Sequence, residues 1–296
     1  MNDKKPSQTL PRILSALVGL PLYAFCMVTD LWFNIPVLAA SMIVTLVSLY
    51  EFYRLSDRHP AGEPFLVVGM IYGVIINIGM YLLAFGSRYG WMDNLDVVAF
   101  PVFLGALSFL VALLMVLELW MRPIKGGTYS ISVTLAGLFI IVIPFSHVIL
   151  MKSMLHGVFY ILILNITVML NDSGAYFGGV LFGKHKTYFA VSPNKSWEGY
   201  AAGFIVSVLA VVGLDLFFQQ FFKVDLFTLK EGIFVGLLLS FLATMGDLSE
   251  SLIKRDASAK DSGTLIPGHG GMWDTFDAMI YSFPIFYYYL LIRGAV

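Results

Sequence analysis

Nine apolar runs, each close to the roughly 20 residues a helix needs to cross a bilayer, set the limits on what this chain can become. They fall at residues 13–28, 31–50, 65–86, 97–120, 131–151, 158–180, 198–221, 232–250 and 272–292. A bilayer offers backbone amides no water, so runs of this kind satisfy their own hydrogen bonds as helices. The expected fold is all-α: a polytopic integral membrane helical bundle of about nine transmembrane helices. Composition agrees, since 58% of residues are hydrophobic, 12% are charged and the mean hydropathy is +0.83, far from a soluble domain. Only Thr29-Asp30 separates the first two runs. A tight hairpin is expected there, with a single bent or re-entrant element as the alternative. The start MNDKKPSQTLPR is polar and basic and the apolar stretch after it resembles a signal peptide, but apolar runs continue along the chain, which favours a retained first helix.

Lys and Arg gather in the cytoplasmic loops of membrane proteins, so their distribution tests the count of spans. With the N-terminus cytoplasmic, that side holds Lys4, Lys5, Arg12, Arg54, Arg58, Arg122, Lys125, Lys184, Lys186, Lys195, Lys254, Arg255 and Lys260. The other side holds Arg88, Lys152, Lys223, Lys230 and Arg293. Thirteen against five accounts for all 18 basic residues and places the 251–271 loop in the cytoplasm, where nucleotides are found. Charge this sparse builds no surface for nucleic acid. Cys26, the single cysteine, allows no intrachain disulfide and no thiolate zinc site and reads as a packing residue. No internal repeat is present. Residues 1–150 carry almost no polar constellation and read as a transmembrane scaffold or homodimer surface, and 151–296 as the catalytic region of one integral domain. Gly69, Gly73 and Gly79 suit close helix packing.

Charge is concentrated in one stretch, SLIKRDASAKDSGTLIPGHGGMWDTFD, from Ser251 to Asp277. On a helix, Asp247, Ser251 and Lys254 share a face, with Glu250 beside them. Snorkelling at a helix end accounts for Lys254 and Arg255. It accounts poorly for Asp247, because a carboxylate at the membrane edge is costly and usually has a partner or a task. Asp274 and Asp277 are spaced i, i+3 if the last helix starts near Met272. Two such acids suit a divalent cation, and Gly270 and Gly271 leave amides free to approach a phosphate. Helix capping is the plainer reading of Asp274 and leaves Asp277 unexplained. His269 reads as a phosphate donor or loop organiser. His59, His147, His156 and His185 have no partner readable from sequence and default to structural or interfacial roles.

A second cluster comprises Asn171-Asp172-Ser173-Gly174-Ala175-Tyr176, Gly183-Lys184, and Ser192-Pro193-Asn194-Lys195-Ser196-Trp197-Glu198-Gly199. Alone, its last part is an ordinary turn leading into a helix. Together the two blocks resemble the phosphatidate cytidylyltransferase family, the CDP-diacylglycerol synthases. The resemblance lies in Ser-x-apolar-Lys-Arg, then Lys-Asp, Pro-x-His-Gly-Gly and Asp-x-x-Asp, from Ser251 to Asp277, and in the Asn-Asp-Ser-x-Ala-Tyr and Ser-Pro-x-Lys-Ser-x-Glu-Gly blocks. Two positions depart from it: Asn194 stands where Lys is common, and Thr275 where members usually carry Arg.

The resemblance implies transfer of the cytidylyl group of CTP to a lipid phosphate, most simply phosphatidate, giving CDP-diacylglycerol and pyrophosphate. It further implies Mg²⁺ held by Asp247 and Asp274, with Asp277 and Asp172 in support. Lys254, Lys260 and His269 join the three signature acids as catalytic residues. Ser192, Lys195, Ser196, Ser251, Arg255, Gly270 and Gly271 would bind the substrates. Its partners are membrane lipids, and its location a bacterial cytoplasmic membrane with the site facing inward. Thr275 removes a cation, so three outcomes stay open: another cation compensates, the lipid differs, or the chain is a weak or inactive paralogue. Two other functions also stay open. A CTP-dependent polyprenol-type kinase would release CDP. A secondary transporter would use the intramembrane acids as an ion path, but has no need of the basic glycine-rich loop.

Overall fold

The computed structural model describes residues 9–57, 61–91, 95–122, 125–189, 191–268 and 270–295. Every apolar run falls on helix. In chain order these are α1 (Thr9–Val28), α2 (Leu31–Ser56), α3 (Leu66–Phe85), α4 (Leu95–Met121) and α5 (Gly127–Gly137). A π-turn (Leu138–Val142) carries α5 into α6 (Ile143–Ser153), and α7 (Gly157–Phe182), α8 (Trp197–Phe222), α9 (Leu229–Asp256), α10 (Met272–Phe276) and α11 (Met279–Arg293) follow. The π-turn lets the helix run on past Pro144, which has no N–H to give it. Among the described residues, seven segments are long and apolar enough to cross a membrane. The expected nine would add α1 and the last run. That run is not one rod: it breaks after α10, and the 15 residues of α11 reach only about 22 Å.

Between α1 and α2 the chain turns back, with Tyr23 and Met27 of α1 beside Ala40, Ser41 and Val44 of α2. The turn uses left-handed backbone at Trp32, Phe33 and Asn34. Residues with a Cβ hold that conformation only where their surroundings impose it. Here Tyr81 donates to the Phe33 carbonyl at 2.5 Å and Asn34 donates to the Tyr89 hydroxyl at 2.8 Å.

Polar contacts sort the helix ends into two groups. At one end, buried Lys152 closes α1 by donating to the Met27 and Val28 carbonyls at 2.8 and 3.3 Å, and it pairs with Asp30 at 3.0 Å. Carbonyls at a helix C-terminus lack intrahelical donors, and a cation there is favourable. Arg293 belongs to the same end and pairs with Glu231 at 2.9 Å. The opposite end gathers the C-termini of α2, α7 and α9 with the N-termini of α8 and α10, and it holds the acidic and basic motifs.

Close approach of the helices depends on a few small residues. A Cβ on Gly69 would lie 2.3 Å from the Tyr53 hydroxyl, and one on Gly73 2.8 Å from Leu46. Gly79 departs from the expectation, since nothing lies within 4 Å of the space its Cβ would fill. Asn171 ties three helices together: its Oδ1 accepts from Ser240 of α9 at 2.5 Å and from Ser207 of α8 at 3.3 Å. Its amide in turn donates to Asp172 at 3.2 Å and orients that carboxylate.

Candidate active site

Three carboxylates converge where α9 meets the break after α10. One oxygen from each of Asp247, Glu250 and Asp277 lies within 4.8 Å of the others. Asp247 and Glu250 share a face of α9 through their i, i+3 spacing, and Gly246 admits the third acid. A Cβ on Gly246 would stand 2.5 Å from the Asp277 carbonyl, so a larger residue would push the two segments apart. Asp277 Oδ1 accepts from the Ala278 amide at 2.5 Å. Glu250 is fully buried, and its Oε1 has no hydrogen-bond partner among the described residues. Asp172, on the neighbouring α7, lies within electrostatic reach of Asp247.

Lys254 stands between this cluster and the signature loop, 2.5 Å from Glu250 Oε2 and 2.7 Å from Asp274 Oδ1. The other oxygen of Asp274 accepts from the Ser262 amide at 2.8 Å, from the Ser262 hydroxyl at 2.9 Å and from the Gly271 amide at 2.7 Å. Asp274 therefore caps α10 and staples the loop, and its acceptor capacity is engaged by protein donors. The reading of Gly270 and Gly271 as free phosphate-binding amides needs correction. Gly270 donates to the Ile266 carbonyl at 3.1 Å, and the Gly271 amide is the one bound to Asp274. These glycines serve close approach instead: Gly270 has φ +97°, and a Cβ on Gly271 would lie 2.2 Å from the Ser262 hydroxyl.

The segment joining α7 to α8 folds as a small hairpin through the Lys186–Ser196 bridge. Ser196 is the N-cap of α8, its hydroxyl accepting from the Gly199 amide at 3.2 Å, as the plain helix-start reading of this motif anticipates. Lys195 extends from the hairpin to Asp247 Oδ2 and lies 5.6 Å from the centroid of the Tyr200 ring. Burial alone would depress this ammonium, but the Asp247 carboxylate outweighs it and holds Lys195 above the ordinary lysine value. His185, which showed no partner in the sequence, lies 2.5 Å from Glu198 Oε1. Lys184, His185, Lys186 and Tyr188 of this hairpin, with Trp197 and Glu198 of α8, line an open groove of about 620 Å³.

Among the described residues, the remaining expected ones make no hydrogen bond or ion pair to these carboxylates. Arg255 and Lys260 are exposed, and neither forms an ion pair among the described residues; Ser192 and Ser251 are half-buried. Thr275 is exposed, and its hydroxyl donates back to the Gly271 carbonyl at 3.1 Å. His269 and His59 lie outside the described residues. Two acids beyond the expected set take part. Glu250 completes the cluster, and its signal was its spacing from Asp247 and Lys254. Glu51 of α2 binds the signature loop; its signal was that of Asp247, an acid at the edge of an apolar run.

The sequence profile described as the cytidylyltransferase family matches residues 10–293. The chain is 40% identical over 129 residues to the phosphatidate cytidylyltransferase of Staphylococcus saprophyticus, covering 44% of this chain and 48% of that one. It is 39% identical over 134 residues to the phosphatidate cytidylyltransferase of Haemophilus influenzae, covering 45% and 46%. The chain thus spans about half the length of these relatives.

Proposed function

The chain belongs to the cytidylyltransferase family, and from that membership we propose that it joins the cytidylyl group of CTP to a lipid phosphate. Phosphatidate, named in the relatives, is the proposed acceptor, and the products are CDP-diacylglycerol and pyrophosphate. One observation carries the reading: the carboxylates of Asp247, Glu250 and Asp277 meet beside Lys195 and Lys254, at the end of the bundle that bears the basic loops.

In this reaction a phosphate oxygen of the lipid attacks the α-phosphorus of CTP, and the bond to the β-phosphate breaks. A phosphomonoester is already largely dianionic near neutrality, its second pKa being about 6, so no strong base is required. The barrier comes from bringing two anions together, and charge neutralisation and positioning lower it. Lys254, held between Glu250 and Asp274, offers a fixed positive charge. Lys195 offers a second on a hairpin that exposes Tyr188 next to the exposed Trp197 of α8, residues suited to the headgroup layer. Arg255 and Lys260, exposed at the surface, suit the triphosphate arriving from water.

The donor set fits a hard divalent cation. One oxygen from each of three carboxylates lies within 4.8 Å of the others, and a buried oxygen of Glu250 has no hydrogen-bond partner among the described residues. Mg²⁺ is the proposed ion; when bound by Asp247, Glu250 and Asp277, with Asp172 in support, it supplies charge neutralisation at phosphate oxygens. Asp274 then serves to hold the loop and Lys254. The site end faces the cytoplasm of a bacterial inner membrane in this reading, in keeping with the basic bias.

Purified protein incubated with CTP, Mg²⁺ and phosphatidate tests the proposal. Formation of CDP-diacylglycerol with stoichiometric pyrophosphate is expected. Release of CDP with a phosphorylated lipid product would replace it with the lipid-kinase reading.

A further inference from the structure

Glu51 lies on α2, in the half of the chain that carries no motif, and it is 6% exposed. Among the described residues it forms no ion pair. A buried carboxylate without donors is strongly unfavourable, so what meets it is informative. Its Oε1 accepts from the Met272 amide at 3.0 Å, and its Oε2 from the Trp273 amide at 2.9 Å and the Ser262 hydroxyl at 3.1 Å. The two amides belong to the first turn of α10, where intrahelical acceptors do not exist. Gly271, at the N-cap position, has no side chain to serve them. Glu51 serves them from another helix, more than 200 residues away in the chain.

The fit is close on every side. A Cβ on Gly271 would lie 2.5 Å from Oε2, and one on Gly263 2.5 Å from Oε1. Phe52, the next residue on α2, meets the fully buried Trp273 ring edge-on at 5.5 Å. The contacts continue toward the acids: the Ser262 hydroxyl is shared with Asp274, Asp274 pairs with Lys254, and Lys254 pairs with Glu250. Asp277 stands three residues beyond Asp274 on the same short segment.

We propose that Glu51 is a positioning residue for nucleotidyl transfer, fixing the Ser262–Asp277 segment against α9 so that Asp247, Glu250 and Asp277 keep one mutual geometry. The proposal rests on the transfer reading above. It makes the first half of the chain part of the catalytic machinery, since the loop that carries the signature is moored to α2.

The test is Glu51→Gln, which keeps the size of the side chain and replaces one acceptor oxygen with a donor. Hydrogen exchange reads the mooring without reference to activity. Amides of the 262–276 segment should exchange at least about tenfold faster, while the thermal midpoint and the elution profile in detergent stay those of the wild type. Turnover should fall at least about tenfold with KM for CTP within about twofold, the pattern of geometry lost from the transition state alone. Gly263→Ala, which crowds the same carboxylate and leaves its charge, should give the same split and serves if the first variant does not fold. Unchanged exchange, unchanged kcat, or a loss of kcat that follows a fall in thermal midpoint would each overturn the proposal. A wild type that performs no nucleotidyl transfer would overturn the functional reading, and exchange in the variant would still decide the mooring.

Discussion

Lys254 and Asp274, 20 residues apart in the chain, are joined at 2.7 Å between Nζ and Oδ1. Lys254 also lies 2.5 Å from Glu250, so it links Asp274 to the three-acid cluster. Asp274 spends its oxygens on Lys254 and the loop. Asp247, Glu250 and Asp277 face one another, Asp247 with Lys195 beside it and Glu250 with Lys254, and the cation is proposed there.

Asp247→Asn and Asp277→Asn should each lower turnover by at least about 100-fold and raise the Mg²⁺ concentration needed for half-maximal rate. Asp274→Asn should lower turnover without that shift, because its partners are protein donors. A Mg²⁺ titration of the three variants separates the roles. A shift confined to Asp274→Asn would return the metal to that residue.

Lys254→Met leaves two acids behind, one of them fully buried. Breaking a buried pair by removing one partner costs about 3–5 kcal/mol, so the thermal midpoint in detergent should fall markedly. Lys254→Arg should recover part of it. A midpoint within error of the wild type would show that Glu250 and Asp274 need no shared cation.

The loop after α9 should be cytoplasmic. In a Cys26→Ser background, a cysteine replacing exposed Ser258 should resist an impermeant thiol reagent in intact cells and react once the membrane is opened. Reaction in intact cells would reverse the orientation and remove the route for CTP.

Thr275→Arg tests the departure from the family pattern. The Thr275 side chain is exposed, so a longer residue has room. With Lys195 and Lys254 already at the acids, wild type should be active and the variant should alter the rate only modestly. An inactive wild type restored by Thr275→Arg would show that the site lacks one positive charge.

The sequence by itself determined the helices, because a bilayer admits little else for runs of this length and apolarity. It also grouped the acidic and basic motifs at one end of the bundle. The distribution of Lys and Arg separates the two ends, and the site end carries the Ser251–Asp277 signature. The i, i+3 and i, i+4 spacings were legible for the same reason: they are local, and α9 keeps them as a helix must. Tertiary structure decided which acids meet. Asp247 finds Asp277 because Gly246 lets α9 approach the break in the last run, and that break interrupts the helical register expected from Met272 onward. It also drew Asp274 toward Lys254 and brought Glu51 to the amides of α10. Contacts of this kind depend on the separation and rotation of whole helices, quantities that no local pattern along the chain encodes.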